Sequence, residues 1–214
     1  MFVKDFMTQQ LITITSDTSV SQAEDIMNQR DINRLPVVDG NKLVGLVTRD
    51  TVAKAKPSDA TSLDAHELNY LLDKTMVGDI MLQKVITVQP DTMLQDAAAL
   101  MSEENIGVLL VLDGPHLAGI ITDKDIFKAF VNISGYGAEG QYLIVELSED
   151  RPGVIEEIGD ALVSAEENLT HMMVYHYEGS IRIVLKVNHN NMDALVRAIE
   201  ERGYTVVSVN GDLK

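Results

Sequence analysis

Residues 43–48 read Leu-Val-Gly-Leu-Val-Thr, and residues 117–122 read Leu-Ala-Gly-Ile-Ile-Thr, 74 positions later. The same spacing aligns the flanking sequence without a gap over about fifty residues, as an internal duplication would. Val37-Val38-Asp39-Gly40 matches Val111-Leu112-Asp113-Gly114, and Val3-Lys4-Asp5-Phe6-Met7 matches Val77-Gly78-Asp79-Ile80-Met81. The first part of the chain is therefore one module written twice.

Each copy predicts the same short elements in the same order. A β-type run (11–15 in the first copy, 85–88 in the second) precedes a polar turn, in which Thr18 and Thr92 are expected to cap a helix. Apolar residues at helical spacing give that helix its buried face: Val20, Ala23 and Met27 in the first copy, and Leu94, Ala97, Ala98 and Met101 in the second.

The second half of each copy predicts a hairpin and another helix. Two β-type runs are joined by an Asp-Gly turn, at 35–38 and 43–47 and again at 108–112 and 117–121. A helix is expected to begin after Thr48 and after Thr122. Half-buried sheets of this size are not stable alone, so the copies are expected to pack face to face with two equivalent clefts.

The repeat resembles the tandem CBS-domain pair, a nucleotide-sensing module, over about residues 1–131. Its most specific pieces are Arg34-Leu35-Pro36-Val37-Val38-Asp39 and Gly119-Ile120-Ile121-Thr122-Asp123-Lys124-Asp125. The resemblance implies an α+β fold made of two βαββα-type modules related by a pseudo-two-fold axis. It places the first module at 1–56, a helical connector at 57–76 and the second module at 77–132.

The resemblance also implies that one cleft binds an adenine nucleotide such as AMP, ADP or ATP. Thr122 and the start of its helix would face phosphate, and Asp125 would accept from the ribose hydroxyls. This complete cleft uses Ile120, Thr122 and Asp125 of the second copy, Leu11 and Ile12 of the first on the adenine face, Asn33 and Arg34 on the phosphate, and Lys124 as a further cation.

The equivalent cleft departs from the family pattern. Thr51 stands where Asp is expected, with Asp50 one residue early, and Val108 stands where a cation is expected. This cleft is predicted to be empty or to bind an uncharged molecule. The polar groups also have a structural interpretation: Thr48 and Thr122 as helix caps, Asp125 as a first-turn carboxylate worth about 0.3–1 kcal/mol, and Arg34 as the partner of a surface acid.

The connector carries a helix signal of its own. Thr61-Ser62-Leu63-Asp64 is a candidate capping box, and an apolar stripe follows at Leu63, Leu68, Leu71 and Leu72. The stripe is interpreted as packing on the core of the module, with a dimer surface or a lid near a cleft as the alternatives.

Beyond Phe130 the pattern changes. A Gly-rich linker at 133–140 leads to a second domain at 141–214, whose predicted order is βαββαβ. The predicted elements are strand 141–147, a helix with core face Val154, Ile155, Ile158 and Leu162, strands 169–177 and 181–187, helix 191–202 and strand 204–209. This order is typical of a ferredoxin-like sandwich.

The turn Asp150-Arg151-Pro152-Gly153 after the first of these strands resembles an ACT domain, a module that commonly binds amino acids. The resemblance implies that backbone amides of Gly153, Val154 and Ile155 bind the ligand carboxylate, with Asn168 nearby, often across a dimer interface. A purely structural turn is the alternative.

The composition excludes several other functions. The net charge of −16 disfavours direct DNA binding, and the absence of cysteine excludes disulfides, thiolate metal sites and a Cys nucleophile. The five histidines have no zinc-like spacing, and neither a Gly-x-Ser-x-Gly elbow nor a Walker loop occurs. No catalytic residue and no metal ligand is therefore predicted.

The order CBS–CBS–ACT resembles the acetoin-utilisation (AcuB-type) proteins of bacteria and implies a link to carbon metabolism. The N-terminus lacks a signal peptide, and the longest apolar run is too short to span a bilayer. We therefore expect a cytoplasmic, non-catalytic, homodimeric sensor that acts on an unknown target protein. An interaction scaffold with vestigial clefts and a nucleotide-hydrolysing enzyme are the rival hypotheses.

Overall fold

The computed structural model describes residues 1–56, 65–149, 151–188, 191–210 and 212–213. The chain divides into two compact units, Met1–Phe127 and Lys128–Lys214. The segment 133–140, predicted as a linker, lies within the second unit. The other domain bounds stay a prediction.

The first unit holds the duplicated elements. After a 3-10 turn at Val3–Asp5, the first copy forms α1 (Val20–Gln29), β1 (Arg34–Asp39), β2 (Lys42–Thr48) and α2 (Arg49–Ala55), followed by α3 (Ala65–Lys74). The second copy forms α4 (Val77–Ile80), β3 (Thr87–Val88), α5 (Leu94–Glu103), β4 (Val108–Asp113), β5 (His116–Thr122) and α6 (Asp123–Ser134), which runs on into the second unit. The α+β order predicted for the two copies is therefore confirmed.

The two copies exchange their leading segments. Thr8, in the leading segment of the first copy, pairs with Ile120 on β5 through two backbone hydrogen bonds of 2.9 and 3.0 Å. At the positions 74 residues away, Leu82 pairs with Leu46 on β2 through bonds of 2.9 and 3.0 Å. Each hairpin thus gains an edge partner from the other copy, and the pairing follows the predicted pseudo-two-fold axis.

A methionine from each leading segment covers a glycine of the other copy. The side chain of Met7 lies against Gly119, and that of Met81 lies against Gly45. A Cβ atom at either glycine would lie 2.5 Å from the methionine sulfur and 3.0 Å from a backbone carbonyl oxygen, that of Thr8 or of Leu82. Both glycines are therefore needed for the close approach of the exchanged segments.

The cores of the two copies are mainly aliphatic. Val20, Ala23 and Met27 on α1 are buried, as are Leu94, Ala97 and Met101 on α5, so the predicted helix faces are confirmed. They pack with buried strand residues such as Leu35, Val37 and Val47 in the first copy and Leu109, Val111 and Ile121 in the second.

The predicted helix caps Thr18 and Thr92 are wrong by one residue. Ser19 caps α1, its hydroxyl accepting from the backbone N–H of Gln22 at 3.2 Å, and Met93 stands at the N-cap of α5 without a side-chain hydrogen bond. The hydroxyls of Thr18 and Thr92 instead accept from the backbone N–H three residues before them, at 3.2 and 3.1 Å. They close the turn that precedes each helix, a local bond that competes with capping.

The connector is described only in part. Pro57 to Asp64 lies outside the described residues, so the capping box there is untested. On α3, Leu72 is buried in the core of the first copy, whereas Leu71 is exposed. Packing on the core therefore accounts for Leu72 but not for the whole predicted stripe.

The second unit is a sheet with two helices. Its elements are β6 (Gln141–Leu147), α7 (Val154–Ser164), β7 (Leu169–Tyr177), β8 (Ser180–Val187), α8 (Met192–Glu200), β9 (Thr205–Val209) and β10 (Asp212–Leu213). The strand order is β10-β9-β6-β8-β7, and all pairs are antiparallel. The predicted βαββαβ order is confirmed, and β10 is an addition that the sequence pattern did not indicate.

A buried lysine fixes the end of α6 to this sheet. Lys186 on β8 is only 2% exposed, and its ammonium donates to the carbonyl oxygens of Gly135 (2.5 Å) and Ala138 (2.6 Å). The Tyr142 hydroxyl donates to the carbonyl oxygen of Ser134 at 3.0 Å. A cation suits the negative end of a helix, so these contacts hold the supposed linker in place.

None of the helices in the described parts of the chain is both long enough and apolar enough to span a membrane.

The glycines under the exchanged segments generate a prediction. Gly119→Ala is expected to lower the free energy of unfolding by about 1–3 kcal/mol, the usual cost of overpacking, because the new methyl group displaces Met7 from β5. Urea unfolding followed by circular dichroism measures the change. Gly137→Ala is the control, since a Cβ there meets nothing within 4 Å. Equal stability of the two variants would contradict the prediction.

Candidate ligand-binding sites

The start of α6 brings Thr122 and Asp125 together. The Thr122 hydroxyl donates to Asp125 Oδ2 at 2.7 Å, and the Thr122 backbone N–H donates to the same oxygen at 3.0 Å. Both bonds run from Thr122 to one carboxylate oxygen, which agrees with the structural interpretation of Asp125 as a carboxylate of the first helical turn. A carboxylate has about four acceptor positions on its two oxygens, so these bonds do not prevent Asp125 from accepting a ribose hydroxyl.

Arg34 reaches this helix start from the other copy. Its Nη2 lies 3.2 Å from the point where a Cβ of Gly107 would stand, and Asp123 Oδ2 lies 3.0 Å from the same point. The two side chains thus flank the Cα of Gly107, where a larger residue would collide with both. The structure therefore brings Arg34 to Gly107 and Asp123, the residue that follows Thr122, and its predicted contact with phosphate stays a prediction.

Asn33 does not share this position. Its Oδ1 accepts from Arg49 Nε at 2.6 Å, and the same guanidinium donates to Asn28 Oδ1 (2.7 Å) and to the Met27 carbonyl oxygen (3.0 Å). Arg49 thereby fixes the end of α1 to the start of β1. The Asn33 Oδ1 therefore serves a contact within the first copy, and the contact of Asn33 with phosphate stays a prediction.

The three apolar residues that were predicted to line the cleft do not lie together. Leu11 lines a cavity of about 320 Å³ together with His116 and Leu117 of the second copy, whereas Ile12 packs against the core of the first copy. Leu11 thus faces the second copy near the β4–β5 turn, and the adenine contacts predicted for Leu11 and Ile12 stay predictions. Ile120 is half-buried on β5, where its backbone pairs with Thr8.

In the second cleft, the two residues that correspond to Thr122 and Asp125 are the uncharged Thr48 and Thr51. The backbone N–H of Thr51 donates to the Thr48 hydroxyl oxygen at 3.2 Å, and that of Thr48 donates to the Thr51 hydroxyl oxygen at 2.8 Å. Asp50 forms an exposed ion pair with Lys54, and Val108 pairs with Thr122 in the β4–β5 hairpin. The two helix starts thus share their backbone arrangement, but the second cleft has neither a counterpart of the Asp125 carboxylate nor a cation at the position of Val108.

One cavity in the first unit was not predicted. It has a volume of about 820 Å³ and lies between the segment 13–18, α1 and the β1–β2 turn. Its polar lining includes Thr13, Thr15, Gln22 and Asp25. No motif marks these residues in the sequence, because they come from three separate elements.

The second unit has an apolar cavity of about 570 Å³ at the start of α7. Gly153, Val154 and Ile155 line it, and its other wall is formed by Val174 and His176 on β7 and by Ile181 and Ile183 on β8. Asn168 is not among the lining residues. It precedes β7, six residues before Val174, and its carbonyl oxygen accepts from the N–H of Asn188. Within one chain, Asn168 therefore lies away from this cavity.

Arg151 and Glu157 hold the turn beside the cavity. Two parallel bonds of 2.8 Å join the guanidinium to the carboxylate, and the hydroxyl of Tyr204, just ahead of β9, also donates to Glu157. The Arg151 hydrogen bonds, followed by that of Tyr204, lower the pKa of Glu157 from its ordinary 4.5 to about 2. Asp150 lies outside the described residues. The pair fixes the position of Gly153 through the residues on either side of it.

Within the described residues, no group of three or more His, Asp or Glu side chains is arranged to hold a metal ion.

Comparison with known sequences identifies the repeat. The model of the CBS domain family matches residues 3–58 and 77–132, which together make just over half of the chain, and leaves residues 133–214 unassigned. The L-aspartate semialdehyde sulfurtransferase of Methanocaldococcus jannaschii is 35% identical over 130 residues, which are 60% of this chain and 23% of that protein. The matched region spans about a quarter of the length of the first curated relatives.

Two solved structures share the fold of the repeat. The CBS domain pair of protein MJ0100, solved in complex with 5′-methylthioadenosine and S-adenosyl-L-methionine, is 32% identical with a TM-score of 0.51, covering 62% of this chain and 97% of that chain. A putative acetoin utilization protein (AcuB) from Vibrio cholerae is 30% identical with a TM-score of 0.52, covering 62% and 91%. Both matched regions have about the length of the CBS pair.

The Arg151–Glu157 pair predicts a pH dependence. Because the pKa of Glu157 is lower in the folded chain than in the unfolded chain, its stabilising contribution is fully present above pH 4.5 and is lost as the pH falls through about 2. Amide hydrogen exchange in α7 measures this. The stability difference between the wild type and Glu157→Gln is expected to shrink between pH 4.5 and 2. The control Glu156→Gln, at an exposed neighbour, should show no such trend, and a constant difference for Glu157→Gln would disprove the assignment.

Proposed function

We propose, because the chain belongs to the CBS-domain family, that it is a regulatory protein that binds an adenosine-containing ligand between its two CBS copies. The observation that carries the proposal is that Arg34 of the first copy lies beside Gly107 and Asp123 of the second, at the helix start where Thr122 and Asp125 are hydrogen-bonded. The related pair of MJ0100 was solved with two adenosyl ligands, which supports the ligand class.

Each group in this cleft has a definite role in the proposal. Asp125 accepts from the ribose diol, which a carboxylate can bind with both oxygens, while Thr122 keeps the carboxylate oriented. Ile120, half-buried on β5, offers apolar surface to the adenine ring. A single occupied cleft is proposed, because Thr51 cannot replace the carboxylate of Asp125 and Val108 offers no charge.

The role proposed is sensing, with no chemical step. Binding at the start of α6 shifts the chain between two states only if the ligand binds one of them more tightly. A link to acetoin or carbon metabolism is supported by the AcuB neighbour alone. A scaffold without ligand and an enzyme that hydrolyses a nucleotide are the alternatives that the following test separates.

The test is calorimetry of the full chain with AMP, ADP, ATP, a cyclic dinucleotide, 5′-methylthioadenosine and S-adenosyl-L-methionine. At least one adenosyl ligand should bind, and Asp125→Asn should weaken it by about tenfold or more, which corresponds to 1.4 kcal/mol of binding free energy. The loss is expected because the amide presents one acceptor oxygen to the diol where the carboxylate presents two.

Thr51→Ala is the matched control, because Thr51 holds the same position in the other copy. It should leave the affinity within about twofold, a difference too small to reflect a lost ligand contact. The absence of heat from every ligand would favour the scaffold, and turnover of ATP or ADP in the presence of Mg²⁺ would favour the enzyme.

A second function is proposed for the cavity at the start of α7. The lining favours an amino acid with an apolar side chain: the amides of Gly153, Val154 and Ile155 can receive a carboxylate, and Val174, Ile181 and Ile183 offer apolar surface. An ACT-type role for this unit is part of the proposal. So is the homodimer, for which the edge strand β7, free of Asp, Glu, Lys and Arg, offers a surface.

This second function is tested by thermal shift of the full chain with leucine, isoleucine and valine against aspartate and lysine. An apolar amino acid should raise the melting temperature, and Val174→Glu should abolish the shift because it places a carboxylate on the cavity wall. Val163→Glu is the control, since Val163 is exposed on α7 and does not line the cavity. Equal effects of the two variants, or no shift with any amino acid, would contradict this function.

A further inference from the structure

The start of α6 already carries anions of its own. The Thr122 hydroxyl and backbone N–H both donate to Asp125 Oδ2, and the backbone N–H of Lys124 donates to Asp123 Oδ1 at 2.9 Å. These are the donors that a phosphate at a helix N-terminus would use. Two carboxylates of the chain therefore occupy the position where an external anion would bind.

The cation of the cleft has an acidic neighbour. Arg34 Nη2 and Asp123 Oδ2 both lie beside the Cβ position of Gly107, at 3.2 and 3.0 Å from it, and both side chains are partly buried. Charges that are partly removed from water interact more strongly than exposed ones. Asp123 therefore offsets the positive charge that Arg34 brings to the cleft.

The first copy shows that this arrangement is not imposed by the fold. At the position of Asp123 it has Arg49, and at that of Asp125 it has Thr51, whose contacts with Thr48 involve no charge. The backbone bond is the same in both copies: the N–H of Arg49 donates to the Asn33 carbonyl oxygen, and that of Asp123 donates to the Gly107 carbonyl oxygen. The acidic helix start is thus a property of residues 123 and 125.

We infer that the cleft selects adenosyl ligands that lack a 5′-phosphate, with a thioether or a sulfonium in its place, and that Asp123 is the residue that determines this selectivity. The inference rests on the proposed function and names its ligand class. A phosphate would have to displace Asp123 from Lys124 N–H and then remain beside two carboxylates. A neutral thioether does not require Asp123 to leave its donor, and a sulfonium cation is attracted by the same carboxylates.

The test compares 5′-methylthioadenosine with AMP, which differ only at the 5′ position. By calorimetry, the wild type should bind 5′-methylthioadenosine about tenfold or more tightly than AMP, as expected for repulsion between partly screened like charges. Asp123→Asn keeps an oxygen that can accept from Lys124 N–H. It should raise the affinity for AMP by about tenfold while leaving that for 5′-methylthioadenosine within about twofold.

Asp113→Asn is the control, because it removes the same charge from an exposed position on the β4–β5 turn. It should not change the ratio of the two affinities. A wild type that prefers AMP, or a ratio unchanged by Asp123→Asn, would overturn the inference and leave the proposed function intact. No binding of any adenosine compound would overturn both.

A second measurement needs no variant. Salt screens the repulsion between the phosphate and the carboxylates, so the affinity of the wild type for AMP should rise between 50 mM and 500 mM NaCl, a range of added salt over which screening lengths fall from roughly 14 to 4 Å. The affinity for 5′-methylthioadenosine should stay constant over the same range. An AMP affinity that falls with salt would mean that Arg34 and Lys124 dominate the cleft, against the inference.

Discussion

The exchange of leading segments between the two copies is the interaction on which the first unit depends. β1 and β2 alone make a two-stranded hairpin, which is marginal in water. The pairing of Leu82 with Leu46, and of Thr8 with Ile120, gives each hairpin an edge partner that the other copy supplies. The Lys4–Asp91 ion pair also joins the first leading segment to the turn ahead of α5 in the second copy. Neither copy can therefore leave without exposing the backbone groups of the other, and the space between them is fixed as a consequence.

That symmetric frame holds side chains that are not symmetric. Positions 34 and 108, 49 and 123, and 51 and 125 correspond across the axis, and at each pair the chemistry differs while the backbone bonds repeat. The Arg49 guanidinium donates to Asn33 Oδ1, whereas Asp123 Oδ1 accepts from the backbone N–H of Lys124 at the start of its own helix. Packing constrains the buried strand residues of both copies, but the helix starts face the clefts and are free to diverge. The duplication provides two places for a ligand, and the residues at the helix starts decide what each can bind.

The sequence predicted those features that depend on local pattern. Alternating apolar runs with Asp-Gly turns gave the hairpins, helical spacing gave the buried faces of α1 and α5, and Thr48 and Thr122 marked the starts of α2 and α6. It could not predict choices among partners that are equivalent in the sequence. Thr18 and Ser19 are both good caps, and only the geometry of the turn decides between them. Asn33 and Arg34 are neighbours that both carry N–H donors, yet the Asn33 side chain binds Arg49 and the Arg34 side chain lies beside Gly107 of the other copy. Such outcomes depend on residues far away in the chain.

The charges on α6 explain why the cleft at its start would discriminate between ligands and would not simply bind all of them weakly. Both of its ends are satisfied by charged side chains of the chain: Asp123 and Asp125 at the start, and Lys186 at the carbonyl oxygens that follow Ser134. These charges complement the helix dipole, so the unliganded helix is already near its electrostatic optimum. A ligand gains only what it adds beyond the bonds that it displaces. An anion would replace one carboxylate with another negative group and leave the first without its donors, so its net gain is small. An adenosine moiety uses the ribose diol and the adenine ring, which compete with neither aspartate for its backbone N–H donor, so its full binding energy is available.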